Sequence, residues 1–184
     1  IKLGEKMYKI IQSKDGKAKL KTSLRGKALI FHPLLNKSNA FSEHERDVLN
    51  LDGKLPPVYE DLEKQTGRAI RQYNQFKSDE AKSIYLHALY NTNEILFYAL
   101  VTKYINEITD KLYTPTVGLT VKDYSLQYRH PRGMFMSYTN RDKIKKMLAN
   151  RTNSELDLIV ISDGEAILGI GDQGIGGMGI PVAK

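Results

Sequence analysis

Residues 58–76, VYEDLEKQTGRAIRQYNQF, carry the clearest folding signal in the chain. Apolar and small side chains recur there at spacings of three and four residues, which places them along one side of a helix with about 3.6 residues per turn. They are Tyr59, Leu62, Thr66, Ala69, Ile70, Tyr73 and Phe76. The stretch therefore predicts an amphipathic helix that buries one face.

Helix-start signals lie on both sides of this stretch. Ser42 and Glu45 have the spacing of a capping box, in which each side chain accepts a bond from the other's free backbone N–H. Ser78 is a predicted cap for a following helix, and Asn91 with Glu94 has the same cap spacing. Helices with such short connections pack as a bundle-like layer. We therefore predict a helical domain over residues 41–112.

The pattern changes after Tyr113. Gly133–Tyr138 and Leu156–Ile161 are short apolar runs, a plausible helix at 140–150 separates them, and Ala166–Ile170 is a further candidate strand. A strand–helix–strand order indicates a crossover unit and hence a parallel sheet. We therefore predict an α/β fold: a helical N-terminal domain followed by the start of a parallel-sheet α/β domain, truncated, over residues 113–184.

Composition is that of a globular protein. The 184 residues are 41% hydrophobic and 27% charged, and no apolar run approaches the roughly 18 residues of a membrane-spanning helix, so we expect no membrane partner. The absence of cysteine excludes a disulfide scaffold or a thiolate metal site and fits a cytoplasmic location. The chain starts at Ile1, without Met, and stops at Lys184 after a glycine-rich run, so we expect a fragment of a longer protein.

The positive charge is concentrated at the N-terminus. Residues 1–37 contain ten lysines and arginines against two acidic residues, a net charge of +8, whereas the whole chain has +7. We interpret residues 1–40 as an irregular basic N-terminal arm, either solvated or packed on a partner subunit. No RNA-binding aromatic signature or zinc-finger spacing accompanies it, so we expect no nucleic-acid partner.

Seven of the fourteen glycines lie between residues 164 and 179. They contain two overlapping G-x-G-x-x-G patterns, Gly169-Gly171-Gly174 and Gly174-Gly176-Gly179. After a strand, this pattern is typical of a dinucleotide-binding turn. In a segment so rich in glycine it also arises by chance, where the backbone turns tightly or approaches another strand closely. Both interpretations stay open on the pattern alone.

Two further residues are candidates for proton transfer. Tyr113 precedes a proline-stiffened turn, where a phenol held in place can act as an acid, although most tyrosines serve packing. Lys184 follows the apolar run Ile180–Ala183, and a buried lysine can act as a base, although most lysines lie at the surface. The four histidines are scattered and predict no metal site.

Several strings together identify a family. They are PLLNKSNAFSEHER (33–46), KLPPVYEDLEKQ (54–65), IYLHAL (84–89), NTNEILFYALV (91–101), YTPTVG (113–118), RHPRGMFMSY (129–138) and ISDGEAILGIGDQGIGGMGIPVAK (161–184). In these strings the chain resembles the malic enzymes, most closely the bacterial NAD-linked members. The resemblance implies oxidative decarboxylation of L-malate to pyruvate and CO₂, with NAD and Mg²⁺ or Mn²⁺ as cofactors, in a homo-oligomer, dimer or tetramer.

The resemblance also implies roles for individual residues. Lys184 would be the general base and Tyr113 the general acid. Substrate or cofactor contacts fall on Thr114, Pro115, Gly171 and Asp172, so that the glycine-rich segment lines the malate site and is not the dinucleotide turn. The family's metal ligands and NAD fingerprint lie downstream of Lys184, and we expect no metal ligand in this fragment.

One position departs from the family. Ala166 stands where members usually have an arginine that contacts the substrate carboxylate and the cofactor. Two alternatives to a malic enzyme remain: a malolactic enzyme, which converts malate to lactate, and a non-catalytic assembly module. The string GMGIPV favours the malic branch. We expect residues 1–184 alone to be inactive.

Overall fold

The computed structural model describes residues 7–13, 16, 18–127, 130–151 and 156–184. Helices dominate these residues, and the strands β1 (Tyr8–Gln12) and β2 (Ala18–Thr22) form an antiparallel hairpin. The helices are α1 (Gly26–Ile30), α2 (Glu43–Val48), α3 (Leu62–Tyr73), α4 (Asp79–Thr92), α5 (Glu94–Lys103), α6 (Ile105–Leu112), α7 (Thr116–Lys122), α8 (Ile144–Ala149) and α9 (Gly179–Ala183). Short 3₁₀ helices occupy Ser38–Ala40, Tyr124–Leu126, Tyr138–Lys143 and Gly174–Met178. None of the helices described is long and apolar enough to cross a membrane.

The chain forms two compact units, Ile1–Thr109 and Asp110–Lys184. We name them the N-terminal unit and the C-terminal unit. The division falls inside α6, close to the start of the YTPTVG string.

The predicted caps at α2 and α4 are confirmed. Ser42 accepts a bond from Glu45 N (3.2 Å) and donates its backbone N–H to Glu45 Oε2 (2.8 Å), which completes the capping box of α2. Ser78 Oγ accepts from Ala81 N at the start of α4. These local bonds satisfy backbone donors that a helix leaves free at its first turn.

Two helix starts differ from the prediction. The helix expected over 58–76 begins only at Leu62, because Asp61 caps it by accepting from Lys64 N at 2.8 Å. The cap expected at Asn91 lies instead at Asn93, whose side chain accepts from Leu96 N at 3.0 Å. In both places a later polar side chain meets the free N–H groups, and the sequence spacing alone could not rank the competing caps.

Helices α3 to α6 share a core in the N-terminal unit. Its fully buried side chains are Tyr73, Leu86, Leu100 and Ile108. The Tyr73 hydroxyl donates to the Glu107 carbonyl at 3.0 Å, so the buried phenol is satisfied. Of the stripe predicted from residues 58–76, Thr66, Ala69, Ile70 and Tyr73 of α3 are buried in this core, whereas Tyr59 and Leu62 are exposed.

The irregular conformation expected for residues 1–40 is wrong for the part of that segment described here. Tyr8, in β1, and Leu29, in α1, pack in one apolar cluster with Leu35, Phe41 and Leu51. Hydrophobic residues therefore order this segment despite its charge, because Leu29, Phe41 and Leu51 are almost completely removed from water.

The parallel sheet expected in the C-terminal unit is absent from the described residues. The runs 133–138 and 156–161 form no strand, and side chains of the second run stay exposed, Ile161 at 88%. A strand needs a hydrogen-bonded neighbour, and neither run supplies one for the other. Ala166–Ile170 turns back on itself, with Gly169 and Gly171 at φ +82° and +71°. The helix predicted between the two runs is confirmed as α8.

Candidate functional site

The candidate site is built on α7 and the glycine-rich segment, both in the C-terminal unit. The segment closes into a loop through backbone bonds, from Gln173 N to the Gly164 carbonyl (2.8 Å) and reciprocally between Ile167 and Gly171 (3.1 and 2.8 Å). The loop also touches α7, since a Cβ on Gly118 would lie 3.4 Å from Ile170 Cγ2. The loop and α7 therefore form one local structure.

Close backbone packing explains several of the glycines. A Cβ on Gly176 would lie 2.5 Å from the Val121 carbonyl oxygen, and one on Gly179 would lie 2.6 Å from Val121 Cγ1. A Cβ on Gly177 would lie 2.7 Å from Gly164 Cα. Real Cβ atoms do not approach so closely, so these positions admit only glycine while α7 and α9 stay in contact.

This packing brings the two predicted proton-transfer residues together. Lys184 directly follows α9, and Tyr113 lies just before α7, where its carbonyl accepts from Val117 N at 2.7 Å. The Lys184 Nζ lies 5.9 Å from the centroid of the Tyr113 ring. A lysine ammonium at this distance is attracted to the ring, by about 0.5–1 kcal/mol at an exposed site. Tyr113 is half-buried and Lys184 is exposed.

The other predicted site residues lie on two segments of the same unit. Thr114 and Pro115 are exposed between Tyr113 and α7, and the peptide bond joining them is cis. Ala166 and Gly171 are exposed in the glycine-rich loop. Within the described part of the chain, no hydrogen bond or ion pair joins these loop residues to Tyr113 or Lys184.

Asp172 has a local structural partner. Its Oδ1 accepts from Gly174 N at 2.8 Å, and the residue is exposed. This bond closes a turn in the loop, as aspartate often does two residues before a backbone N–H. The second carboxylate oxygen keeps lone pairs for a ligand.

The structure also draws attention to residues that the sequence analysis passed over. Thr116 is buried, and its hydroxyl has no hydrogen-bond partner among the described residues. Lys111, two residues before Tyr113, pairs with Asp110, and only 15% of the lysine side chain is exposed. Thr116 lies inside YTPTVG, so the motif itself pointed to it. No pattern in the sequence around Lys111 indicates that its side chain is buried.

The described residues show no metal centre and no dinucleotide turn. They contain no group of three or more histidines, cysteines, aspartates or glutamates that could hold a metal ion. The second G-x-G-x-x-G pattern lies in a 3₁₀ helix and at the start of α9, where Gly176 and Gly179 pack on Val121. These contacts use the glycines for packing and do not fit a strand-to-helix phosphate turn.

A cavity of about 380 Å³ lies elsewhere, between α3, α4 and α5 of the N-terminal unit. Arg68, Tyr85 and Thr92 are among its lining residues. None of the predicted site residues lines it, so this cavity is not part of the candidate site.

A chain with these motifs on this scaffold matches one family. The profile described as "Malic enzyme, N-terminal domain" matches residues 90–184, more than half of the chain. The chain therefore belongs to the malic enzyme family. This confirms the resemblance read from YTPTVG and the glycine-rich string.

Curated relatives carry a more particular name. The "NAD-dependent malic enzyme" of Aliivibrio fischeri (strain MJ11) is 52% identical over 159 residues, 86% of this chain and 28% of the relative. Proteins of the same name are 48% identical over 170 residues in Shewanella halifaxensis, 92% of this chain and 30% of the relative, and 52% identical over 159 residues in Vibrio parahaemolyticus, again 86% and 28%. The chain spans less than a third of the length of these relatives.

Proposed function

We propose that this chain is the N-terminal part of an NAD-dependent malic enzyme that converts L-malate and NAD to pyruvate, CO₂ and NADH. Membership of the family and the name shared by the relatives support the reaction. The observation that carries the assignment to this site is the distance of 5.9 Å between Lys184 Nζ and the Tyr113 ring. An amine and a phenol held together can serve one small substrate as base and acid.

The proposed roles divide two proton transfers between the pair. Lys184 would accept the proton of the malate C2 hydroxyl as that carbon is oxidised. After CO₂ departs from the resulting oxaloacetate, the Tyr113 hydroxyl donates a proton to C3 of the enol, which gives the pyruvate methyl group. When bound, NAD supplies the hydride acceptor and a divalent metal, Mg²⁺ or Mn²⁺, a Lewis acid.

The loop residues would orient the substrate. We assign contacts with malate or NAD to Thr114, Pro115, Gly171 and Asp172, because they are exposed in the same unit as the pair. Ala166, exposed in the glycine-rich loop, offers no positive charge to a substrate carboxylate. We also propose that the full-length protein is a cytoplasmic homo-oligomer. In it, the exposed run 156–161 would gain the parallel neighbours that it lacks here.

The test uses the full-length protein and separates the two steps. Tyr113→Phe keeps the aromatic ring beside Lys184 and removes only the hydroxyl. We therefore expect kcat to fall about 10²–10⁴-fold, the rate enhancement that general acid catalysis usually contributes. Exchange of solvent deuterium into the pyruvate methyl group should slow in parallel. Lys184→Ala should abolish NADH formation from malate, with a smaller effect on decarboxylation of added oxaloacetate.

Tyr138→Phe and Lys145→Ala are matched controls, because both residues are exposed in the same unit. Both controls should keep wild-type kcat. Tyr113→Phe or Lys184→Ala with kcat within twofold of wild type would refute the assigned roles. Lactate formed from malate without accumulation of NADH would identify a malolactic enzyme instead.

A further inference from the structure

Methionine is the only sulfur-containing residue type in this chain, which has five methionines and no cysteine. Oxidation of a methionine to its sulfoxide turns a flexible apolar side chain into a polar one. Met178 is the methionine of the glycine-rich segment. It ends the 3₁₀ helix Gly174–Met178 and directly precedes α9, which Lys184 follows. A chemical change at Met178 therefore acts on the scaffold of the candidate site.

The sulfur of Met178 lies beside a residue that has no side chain. A Cβ on Gly133 would lie 3.4 Å from Met178 Sδ and 3.8 Å from its Cε, so the thioether packs near the Gly133 backbone. Gly133 is exposed, and its φ of +80° favours glycine. Met178 is half-buried. Because Gly133 contributes no side chain that shields the sulfur, an oxidant as small as a peroxide can approach it there.

The backbone on both sides of Met178 is tightly packed. A Cβ on Gly177 would lie 2.7 Å from Gly164 Cα, and a Cβ on Gly179 would lie 2.6 Å from Val121 Cγ1. Such close-packed contacts do not adjust to a larger side chain without movement of the segments that make them. A sulfoxide is larger than the thioether and seeks water, so it draws the side chain away from Gly133. The strain then falls on α9, whose first residue is Gly179.

We infer that Met178 is a reversible oxidation site at which a peroxide disrupts the pairing of Lys184 with Tyr113. The sulfur attacks one oxygen of hydrogen peroxide, the O–O bond breaks and an S–O bond forms. The second oxygen leaves as water with the proton of the first, and the two electrons that sulfur loses pass to the peroxide. As α9 moves, the distance between Lys184 Nζ and the Tyr113 ring centroid, 5.9 Å in the unoxidised protein, increases.

The test uses the full-length protein and reads the position of Lys184 directly. A short bifunctional aryl fluoride joins the Lys184 amine to the Tyr113 phenol, and mass spectrometry of the linked peptides gives the yield. Hydrogen peroxide should add one oxygen to Met178 in the folded protein and lower this yield roughly tenfold. Methionine sulfoxide reductases with a dithiol as reductant should restore it. This measurement stands whether or not the protein oxidises malate.

Activity is a second measurement, which rests on the proposed function. NADH formation from malate should fall roughly tenfold once Met178 is oxidised. Met178→Leu keeps an apolar side chain of similar volume, so its activity before treatment should be close to that of the wild type. Peroxide should then change neither its activity nor its cross-link yield by more than about twofold, because leucine has no sulfur to oxidise.

Met136→Leu is the matched control, because Met136 is 46% exposed in the same unit. This variant should lose its cross-link on oxidation as the wild type does. Three results would overturn the inference: a Met178 that stays unoxidised while Met136 is oxidised, an unchanged cross-link yield after Met178 has been oxidised, or an equal loss of the cross-link in Met178→Leu. Circular dichroism should show the same helix content before and after treatment, and a global loss of helix would equally contradict a local movement of α9.

Discussion

At the scale of single residues, glycines control how closely the candidate site can close. Gly164 has φ +75°, and a Cβ on it would lie 2.4 Å from the Gly174 carbonyl oxygen. Gly176 and Gly179 let α7 and α9 approach without side chains between them. Since Lys184 directly follows α9, its place beside Tyr113 depends on residues that themselves perform no chemistry.

Gly176→Ala tests this dependence. The added Cβ would lie 2.5 Å from the Val121 carbonyl oxygen. Because this oxygen belongs to the backbone of α7, the clash can be relieved only if α7 itself moves. We expect the free energy of unfolding to fall by about 1–3 kcal/mol, measured by denaturant titration. Gly67→Ala is the control: its Cβ would meet only the flexible end of Arg71 at 3.7 Å inside α3, so it should add about 0.5–1 kcal/mol. Unchanged stability of Gly176→Ala would show that the contact is not tight.

Ala166→Arg tests the departure from the family. Ala166 is exposed, so the longer side chain fits without a clash. In the full-length protein we expect KM for malate to fall roughly 10- to 150-fold, the equivalent of one charge-assisted hydrogen bond of about 1.5–3 kcal/mol. Leu168→Arg, at a fully exposed position in the same loop, should leave KM unchanged. An unchanged KM for Ala166→Arg would show that this site binds malate through a different geometry.

At the scale of secondary structure, caps and ion pairs set where helices begin. Burial raises the pKa of Glu45, but bonds from the Lys37 ammonium and from Ser42 outweigh it, so the pKa is lowered below its ordinary value of 4.5. A carboxyl whose pKa is lower in the folded state stabilises the fold above pH 4.5. That contribution is lost as the pH falls through the lowered pKa.

Glu45→Gln measures this contribution. Glutamine can still accept at the cap but cannot pair ionically with Lys37. Because the pair is half-exposed, we expect the variant to lose only about 0.5–1 kcal/mol of unfolding free energy at pH 7. The difference from wild type should disappear in strong acid, where the wild-type carboxyl is protonated. Glu165→Gln, at an exposed site, should give no such pH dependence. A deficit for Glu45→Gln that is equal at pH 7 and in strong acid would contradict the ionic explanation.

At the scale of the whole molecule, the charge and the candidate chemistry lie in different units. The β1–β2 hairpin, with the exposed residues Lys9, Lys19 and Lys21, belongs to the N-terminal unit, whereas Tyr113 and Lys184 belong to the C-terminal unit.

The 184-residue chain should not turn over malate. The residues described contain no cluster of metal-type ligands, and their glycine-rich segment is used for packing. With malate, NAD and Mn²⁺, we expect no formation of NADH above the protein-free rate, followed by absorbance. The full-length protein under the same conditions is the positive control. Measurable NADH from the short chain would show that it holds a complete site.

The sequence by itself determined the local features and the family. The capping box at Ser42 and the buried stripe of α3 follow from contacts between residues three or four apart, which a sequence displays directly. The strings YTPTVG and GIGDQGIGGMGIPV identified the malic enzyme family.

Tertiary structure decided what depends on distant partners. The apolar run 156–161 is no strand here, because a strand requires a neighbour that periodicity cannot supply. The described part of the basic arm is ordered, because Tyr8 and Leu29 reach a core that includes Leu51. Lys184 lies beside Tyr113 only because glycines without side chains let α9 pack against α7, and such a contact between segments far apart in sequence leaves no local pattern.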